Sequence, residues 1–374
     1  MQPNKQKKVI EELLHHADIK INGDRPFDIQ VHNDALYGRV LSQGSLGFGE
    51  AYMDGWWDCE SIDEMIAHIL RAEIQKKVGK GKLALHILKA MFFNAQNFTK
   101  AWKVGQVHYD VGNDLYKKML DDRMVYTCGY WDKTQNLNEA QEAKLDLVCK
   151  KIGLKKDDTI LDIGCGWGSF VKFAAERYGA KAVGVNNSKE QCKLGKEKCA
   201  GLSVEIRLQD YRKIPESEKF DHIVSLGMFE HVGYKNYRQY MEIAERHLKD
   251  DGLFLLHTIG GNTSVKATDP WIDKYIFPNS MLPSPKQVTT AIEGLFVMED
   301  WHNFGADYDK TLMAWYDNFL HSWDSLKSQY DERFFRMWKF YLLSCAGSFR
   351  SRQNQLWQIV LSKKGVKNGY KRLS

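Results

Sequence analysis

The residues best equipped for chemistry begin at Thr159-Ile160-Leu161-Asp162-Ile163-Gly164-Cys165-Gly166-Trp167-Gly168-Ser169. An apolar run that follows Asp157-Asp158 and closes on alternating glycines reads as a buried parallel strand ending in a sharp turn. Phe170, Val171, Phe173, Ala174, Ala175 and Tyr178 then recur at helical spacing. The glycines therefore join a strand to a helix and let a ligand approach bare backbone. A dinucleotide site uses G-x-G-x-x-G and keeps carboxylates away from the diphosphate at the helix N-terminus. Here the spacing is G-x-G-x-G, with Asp162 two residues before Gly164. S-adenosylmethionine has no phosphate and carries a cationic amino-acid end, which an acidic residue at the turn suits. The competing reading is a glycine-rich turn that binds nothing, because short glycine motifs also arise by accident.

The elements that must position this turn alternate regularly. Residues 182–185, 204–208, 222–226 and 253–259 read as strands, and residues 188–199 and 234–248 as helices between them. An amphipathic helix over residues 138–149 leads into the central strand. Such alternation predicts an α/β fold with a doubly wound, mostly parallel, Rossmann-like sheet that binds ligand at the carboxyl ends of its strands. The glycine turn, Asn186-Asn187-Ser188, Asp210, Glu230 and His257 all fall at or near strand ends, as one candidate constellation.

The flanks differ in character. Residues 7–19 read as a helix, 27–31 as a half-buried strand, and Gly44, Gly47 and Gly49 as loop punctuation. Ser61 and Glu64 have the spacing of a capping box before another helix. Lys76, Lys77, Lys80, Lys82 and Lys89 interleave with apolar residues, as on a basic amphipathic helix that meets either an anionic membrane or only its own domain. Residues 94–104 are the best linker candidate. His108-Tyr109-Asp110-Val111-Gly112-Asn113-Asp114-Leu115-Tyr116 and residues 124–131 mix polar and aromatic side chains too densely for a plain core and suggest a segment over a site. Residues 261–285 read as a covering loop, 311–330 and 331–349 as aromatic-rich helices, and 354–363 as an edge-like strand. The expected domains are thus a small N-terminal α+β domain (1–100) and a catalytic domain (101–374) with a helical apolar cap (about 261–352) fit for a greasy substrate. More core is the plainer alternative for that cap.

Composition narrows the class. The chain has 374 residues, 43% hydrophobic content and a net charge of +5, which decides neither for nucleic acid nor for a membrane surface. Seven cysteines without C-x-x-C or zinc spacing read as reduced thiols in a cytoplasmic protein, with no metal site expected. No apolar stretch is long enough to span a bilayer, and the N-terminus does not read as a signal peptide, so membrane contact is expected to be peripheral.

Taken together, residues 160–169, 108–116, Tyr126-Thr127-Cys128, Phe229-Glu230-His231 and Asp307-Tyr308 resemble the cyclopropane-fatty-acyl-phospholipid synthases, enzymes of the S-adenosylmethionine-dependent methyltransferase fold. The resemblance covers nearly the whole chain. It implies that Gly164, Gly166, Gly168, Tyr126 and Thr127 hold S-adenosylmethionine, with Gln191, Gln209 and Asp210 toward the ribose or adenine. Asn186 departs from the threonine usual in the family, although its amide can still bond a ribose hydroxyl. The resemblance also implies a bicarbonate site formed by Cys128 and Ile259 through backbone and by Glu230, His257 and Tyr308 through side chains. The implied reaction is methyl transfer to a cis double bond of an unsaturated phospholipid, then proton loss and ring closure. It needs an in-line methyl donor, a dry site that tolerates positive charge, and a base. Glu230 would orient the anion through a shared hydrogen, with His257 and Tyr308 as donors. A homodimer at the inner face of the membrane, with no nucleic-acid partner, completes the expectation. Three other functions compete: a methyltransferase on a small amine or a fatty chain without ring closure, a non-catalytic lipid-binding protein, and, least supported by the glycine spacing, a dehydrogenase.

Overall fold

The computed structural model describes residues 2–74 and 112–372. The basic stretch of residues 76–89, the linker candidate and His108–Val111 lie outside them. The chain forms two compact units, each drawn from separate stretches. One comprises Leu120–Lys266, Met281–Thr311 and Gln355–Ser374; the other comprises the described residues up to Met119 with Ala267–Ser280 and Leu312–Asn354. The expected division at 100/101 lies outside the described residues, and residues 261–352 are shared between the two units.

The N-terminal unit holds a two-stranded antiparallel ribbon, β1 (Gln30–Val31) with β2 (Trp57–Asp58), among helices. Helix Glu332–Arg350 packs on Ile62–Arg71 and on Ser45–Met53. Gly47 and Gly49 lie inside the last of these rather than in a loop. A Cβ at Gly49 would stand 2.4 Å from the Trp271 ring, and one at Gly47 2.7 Å from the Arg39 carbonyl oxygen. These glycines serve close packing, which outweighs their poor helix propensity. Ser61 makes no capping bond. Glu64 is instead taken by Arg350, whose Nη1 reaches Asp63 at 2.6 Å and Glu64 at 2.7 Å.

The other unit carries a seven-stranded sheet: β3 (Thr159–Ile163), β4 (Lys181–Asn186), β5 (Val204–Leu208), β6 (Phe220–Leu226), β7 (Leu248–Gly261), β8 (Val297–Asn303) and β9 (Asn354–Ser362), in the order β5-β4-β3-β6-β7-β9-β8. Strands β3 to β7 pair in parallel, and β8 runs antiparallel to β9. This is the expected α/β, doubly wound arrangement, and β3 sits at the topological switch point. The edge strand, however, is β8, not the last strand. Val-Met-Glu-Asp-Trp-His-Asn is too polar to read as a strand, whereas β9 is buried from Gln355 onward, as an interior strand must be.

Alternation along the strands separates two cores. Ile160, Val224, Leu255 and Val360 pack with Leu145, Val148, Phe170 and Phe173 on one face. Leu161, Ile223, Leu256 and Ile359 pack with Tyr240, Met241, Val288 and Phe296 on the other. Because side chains two apart share a face, Asp162, His257 and Gln358 fall on the first. That face is covered by helix Leu137–Lys151, whose buried side carries Gln141, Lys144 and Lys151 as well as its apolar residues.

Candidate active site

The glycine turn closes β3. Gly164 and Cys165 donate their N–H groups to the Val185 carbonyl at 2.9 and 3.2 Å. Gly164, Gly166 and Gly168 have φ of 90°, 55° and 80°, the left-handed region that favours glycine. Their surroundings differ. A Cβ at Gly164 would lie 2.8 Å from Met228, and one at Gly168 2.8 Å from Ile206, but one at Gly166 meets nothing within 4 Å. Gly166 thus offers open backbone where the fold places a ligand. Asn186 braces the turn: its Nδ2 donates to the Gly166 carbonyl at 3.2 Å and to Gln191 Oε1 at 2.7 Å. At the end of β5, Gln209 donates to the Lys213 carbonyl at 2.8 Å, and Asp210 pairs with Arg212. Both side chains are engaged within their own turn. Asp162 lies within β3, not on the face of the turn. It is buried, its Oδ1 has no partner among the described residues, and burial pushes it up to about 7 against the opposing pull of Lys144.

The overlying segment is held from below. Lys144 Nζ donates to Thr127 Oγ1 at 2.6 Å, and Gln141 Nε2 donates to the Thr127 carbonyl at 2.7 Å. Lys144 is fully buried, and desolvation lowers it to about 8. Gly227 allows the Thr127 methyl to approach, since a Cβ there would stand 2.8 Å from it. Tyr126 immediately precedes Thr127. The Cys128 thiol, kept protonated by burial, donates to the Gly129 carbonyl at 3.1 Å. Thr311 accepts from Gly129 N–H at 3.1 Å and from Trp131 Nε1 at 2.9 Å, which ties the segment to helix Ala306–Leu326. Tyr308 is buried in the first turn of that helix.

Glu230 lies just beyond the end of β6, and His257 lies within the neighbouring β7. Glu230 follows β6 in a 3-10 turn, and its Oε1 accepts from Ile259 N–H of β7 at 2.7 Å. Its Oε2 is buried and accepts no hydrogen bond among the described residues, and desolvation pushes the acid from 4.5 to about 7 against the lowering pull of the backbone N–H groups and the Thr258 side chain. His257 stands opposite Leu226, and its carbonyl accepts from Gly227 N–H at 2.9 Å. Its Nδ1 lies 3.3 Å from Gln358 Nε2, while its buried Nε2 also lacks a partner among the described residues. Burial, then Lys144 and Lys151, hold the imidazole neutral, well below its usual range. The His257 ring meets Phe304 at 5.9 Å, and Phe304 meets Tyr130 at 5.4 Å, so the overlying segment reaches the His257 side of the sheet. Sequence reasoning passed over Gln141, Lys144 and Gln358. The available signal was a polar residue in register with an apolar face: Gln358 inside Leu-Trp-Gln-Ile-Val-Leu, and Lys144 one residue before Leu145.

Comparison with known proteins bears on this geometry. The family model described as mycolic acid cyclopropane synthetase matches residues 96–359. The chain belongs to that family. The cyclopropane-fatty-acyl-phospholipid synthase of Escherichia coli (strain K12) is 52% identical over 363 residues, covering 97% of this chain and 94% of that one. A probable fatty acid methyltransferase of Pseudomonas putida is 37% identical over 68% of each chain. Among solved structures, the mycolic acid cyclopropane synthase CmaA1 complexed with SAH and CTAB is 30% identical, with a TM-score of 0.64 over 71% of this chain and 98% of that one. The cyclopropane synthase MmaA2 from Mycobacterium tuberculosis is 28% identical, with the same TM-score and coverage. This family member is therefore an enzyme, an S-adenosylmethionine-dependent methyltransferase of the cyclopropane synthase kind that acts on a lipid. No described helix is long and apolar enough to cross a membrane.

Proposed function

We propose that the enzyme methylates a cis double bond in the acyl chain of an unsaturated phospholipid and closes it to a cyclopropane, with bicarbonate as the base. The observation that carries this reading is two buried polar atoms that meet no partner among the described residues, Glu230 Oε2 just beyond β6 and His257 Nε2 on the neighbouring β7. Buried polar groups are almost always paired, so each orphan invites a polar ligand, and one small anion can serve both. Both groups suit an anion. Glu230, at about 7, holds a proton on a fair share of molecules at neutral pH and can share it through Oε2 while Ile259 N–H fixes Oε1. Neutral His257 presents a single N–H. Bicarbonate, when bound, supplies proton acceptance; S-adenosylmethionine, when bound, supplies the electrophilic methyl group. Gly166 would admit the cofactor to bare backbone, with Gly164, Gly168, Tyr126, Thr127, Asn186, Gln191, Gln209 and Asp210 around it and Asp162 beneath. Cys128 and Tyr308 complete the anion site, Ile259 acts through the N–H it gives to Glu230, and burial of Phe304 helps to exclude water. Residues 1–100 engage bilayer lipid directly or support a homodimer, at the inner membrane face.

The test incubates the enzyme with unsaturated-phospholipid vesicles and labelled S-adenosylmethionine and resolves the acyl products by mass spectrometry. Glu230→Gln and His257→Ala should each lose ring formation by roughly two to three decades, about 2–4 kcal/mol of barrier, with cofactor affinity retained. Methylated, ring-free product from the wild type would favour simple methyl transfer. Near-normal ring formation by both variants would show that another group takes the proton.

A further inference from the structure

Gln358 is a polar residue inside an otherwise apolar stretch, Leu356 to Leu361. It lies fully buried within β9, between Trp357 and Ile359, opposite His302 of β8 and beside β7. Its amide nitrogen approaches His257 Nδ1 at 3.3 Å, on the sheet face covered by helix Leu137–Lys151. Burying an amide in an apolar strand is costly unless its bonds are made.

Two amide orientations can meet Nδ1. In one, an amide N–H donates to Nδ1 and the ring proton sits on Nε2, leaving one N–H and the Oε1 of Gln358 unpaired. In the other, Oε1 accepts from Nδ1–H and both amide N–H groups turn to the buried position at which Oε1 now meets no partner. Orphaned donors are rarer than under-satisfied carbonyl oxygens, which favours the first. That orientation also leaves His257 Nε2 with a proton to give, where the second leaves a bare lone pair at a buried atom that meets no partner among the described residues.

We infer that Gln358 is a positioning residue for His257: by donating to Nδ1 it confines the ring proton to Nε2 and makes the buried histidine a fixed hydrogen-bond donor rather than a proton acceptor. The partner on a metal- or anion-binding histidine's far nitrogen sets which tautomer faces the ligand. The consequence for turnover rests on the anion-site reading above; the tautomer itself does not.

Full-length protein labelled with 15N-histidine tests this by long-range proton–nitrogen correlation, with the His257 signals identified by their loss in His257→Ala. The wild type should show the Nε2–H pattern at neutral pH. Gln358→Glu places acceptor oxygens against Nδ1. It should move the pattern to Nδ1–H or to the doubly protonated ring, and lower ring formation about 10–100-fold with S-adenosylmethionine affinity unchanged. A wild-type Nδ1–H pattern, or an unaltered pattern in Gln358→Glu, overturns the inference. The wild-type spectrum alone decides it if the variant fails to fold. If the pattern moves and ring formation persists, Gln358 still sets the tautomer, and it is the assignment of His257 as the anion's donor that fails.

Discussion

Glu230 shows how the site and the fold oppose each other at a single residue. Its acid is held at about 7 in the folded protein against 4.5 when free, because burial disfavours the carboxylate. Below 4.5 the acid is protonated in both states and costs nothing. As pH rises from there, the unfolded chain ionises first, so the stability that the protonated form provides is lost as pH approaches 7. Glu230→Gln should therefore be more stable than wild type at pH 8, by up to about 3 kcal/mol, and indistinguishable at low pH. Urea unfolding at the two pH values checks this; equal midpoints throughout would mean that the acid is not strained. The glycines divide similarly. Gly166→Val meets no neighbour but forces a β-branched residue into the left-handed region, so it should weaken S-adenosylmethionine binding by calorimetry and also lower stability, by about 1–2 kcal/mol. Gly168→Val, driven against Ile206 and Cys199, should chiefly lower stability, by about 1–3 kcal/mol. Unchanged cofactor affinity in Gly166→Val would remove that turn from the site.

At the scale of elements, packing reuses residues that sequence reading takes for punctuation. Helix Glu332–Arg350 lies so close to Ile62–Arg71 that a Cβ at Gly347 would stand 2.3 Å from the Asp63 carbonyl oxygen. Gly347→Ala gains helix propensity of about 1 kcal/mol and loses more than that to the clash, so a net fall in the thermal midpoint is expected. A rise in the midpoint would show that the two helices can part at no cost. The strand–turn–helix course around Gly164 was legible because apolar run, glycines and helical periodicity follow one another within a few residues. The exchange of edges between β8 and β9 was not, because local pattern cannot tell which strand acquires a second neighbour.

For the whole molecule, the proposed contact with an anionic lipid surface can be tested at the lysines 76, 77 and 80. Reversing all three to glutamate should reduce activity on anionic vesicles, each charge contributing about 1 kcal/mol of surface attraction, and should leave cofactor affinity intact. Equal activity on anionic and neutral vesicles, before and after reversal, would rule out that role.

The sequence by itself determined the class of fold, the place of the glycine turn and the family, because these rest on contiguous patterns and on several motifs in fixed order. The tertiary structure alone decided which polar residues are buried and what surrounds them. Asp162, His257 and Gln358 come from three strands far apart in the chain, yet alternation sets them on one sheet face, under a helix that buries Lys144 and Lys151 against them. Burial and proximity are products of that assembly, and they fix the protonation of Glu230, the neutrality of His257 and the grip of Lys144 on Thr127. No spacing along the chain carries such information, since desolvation depends on neighbours that arrive only when the sheet closes.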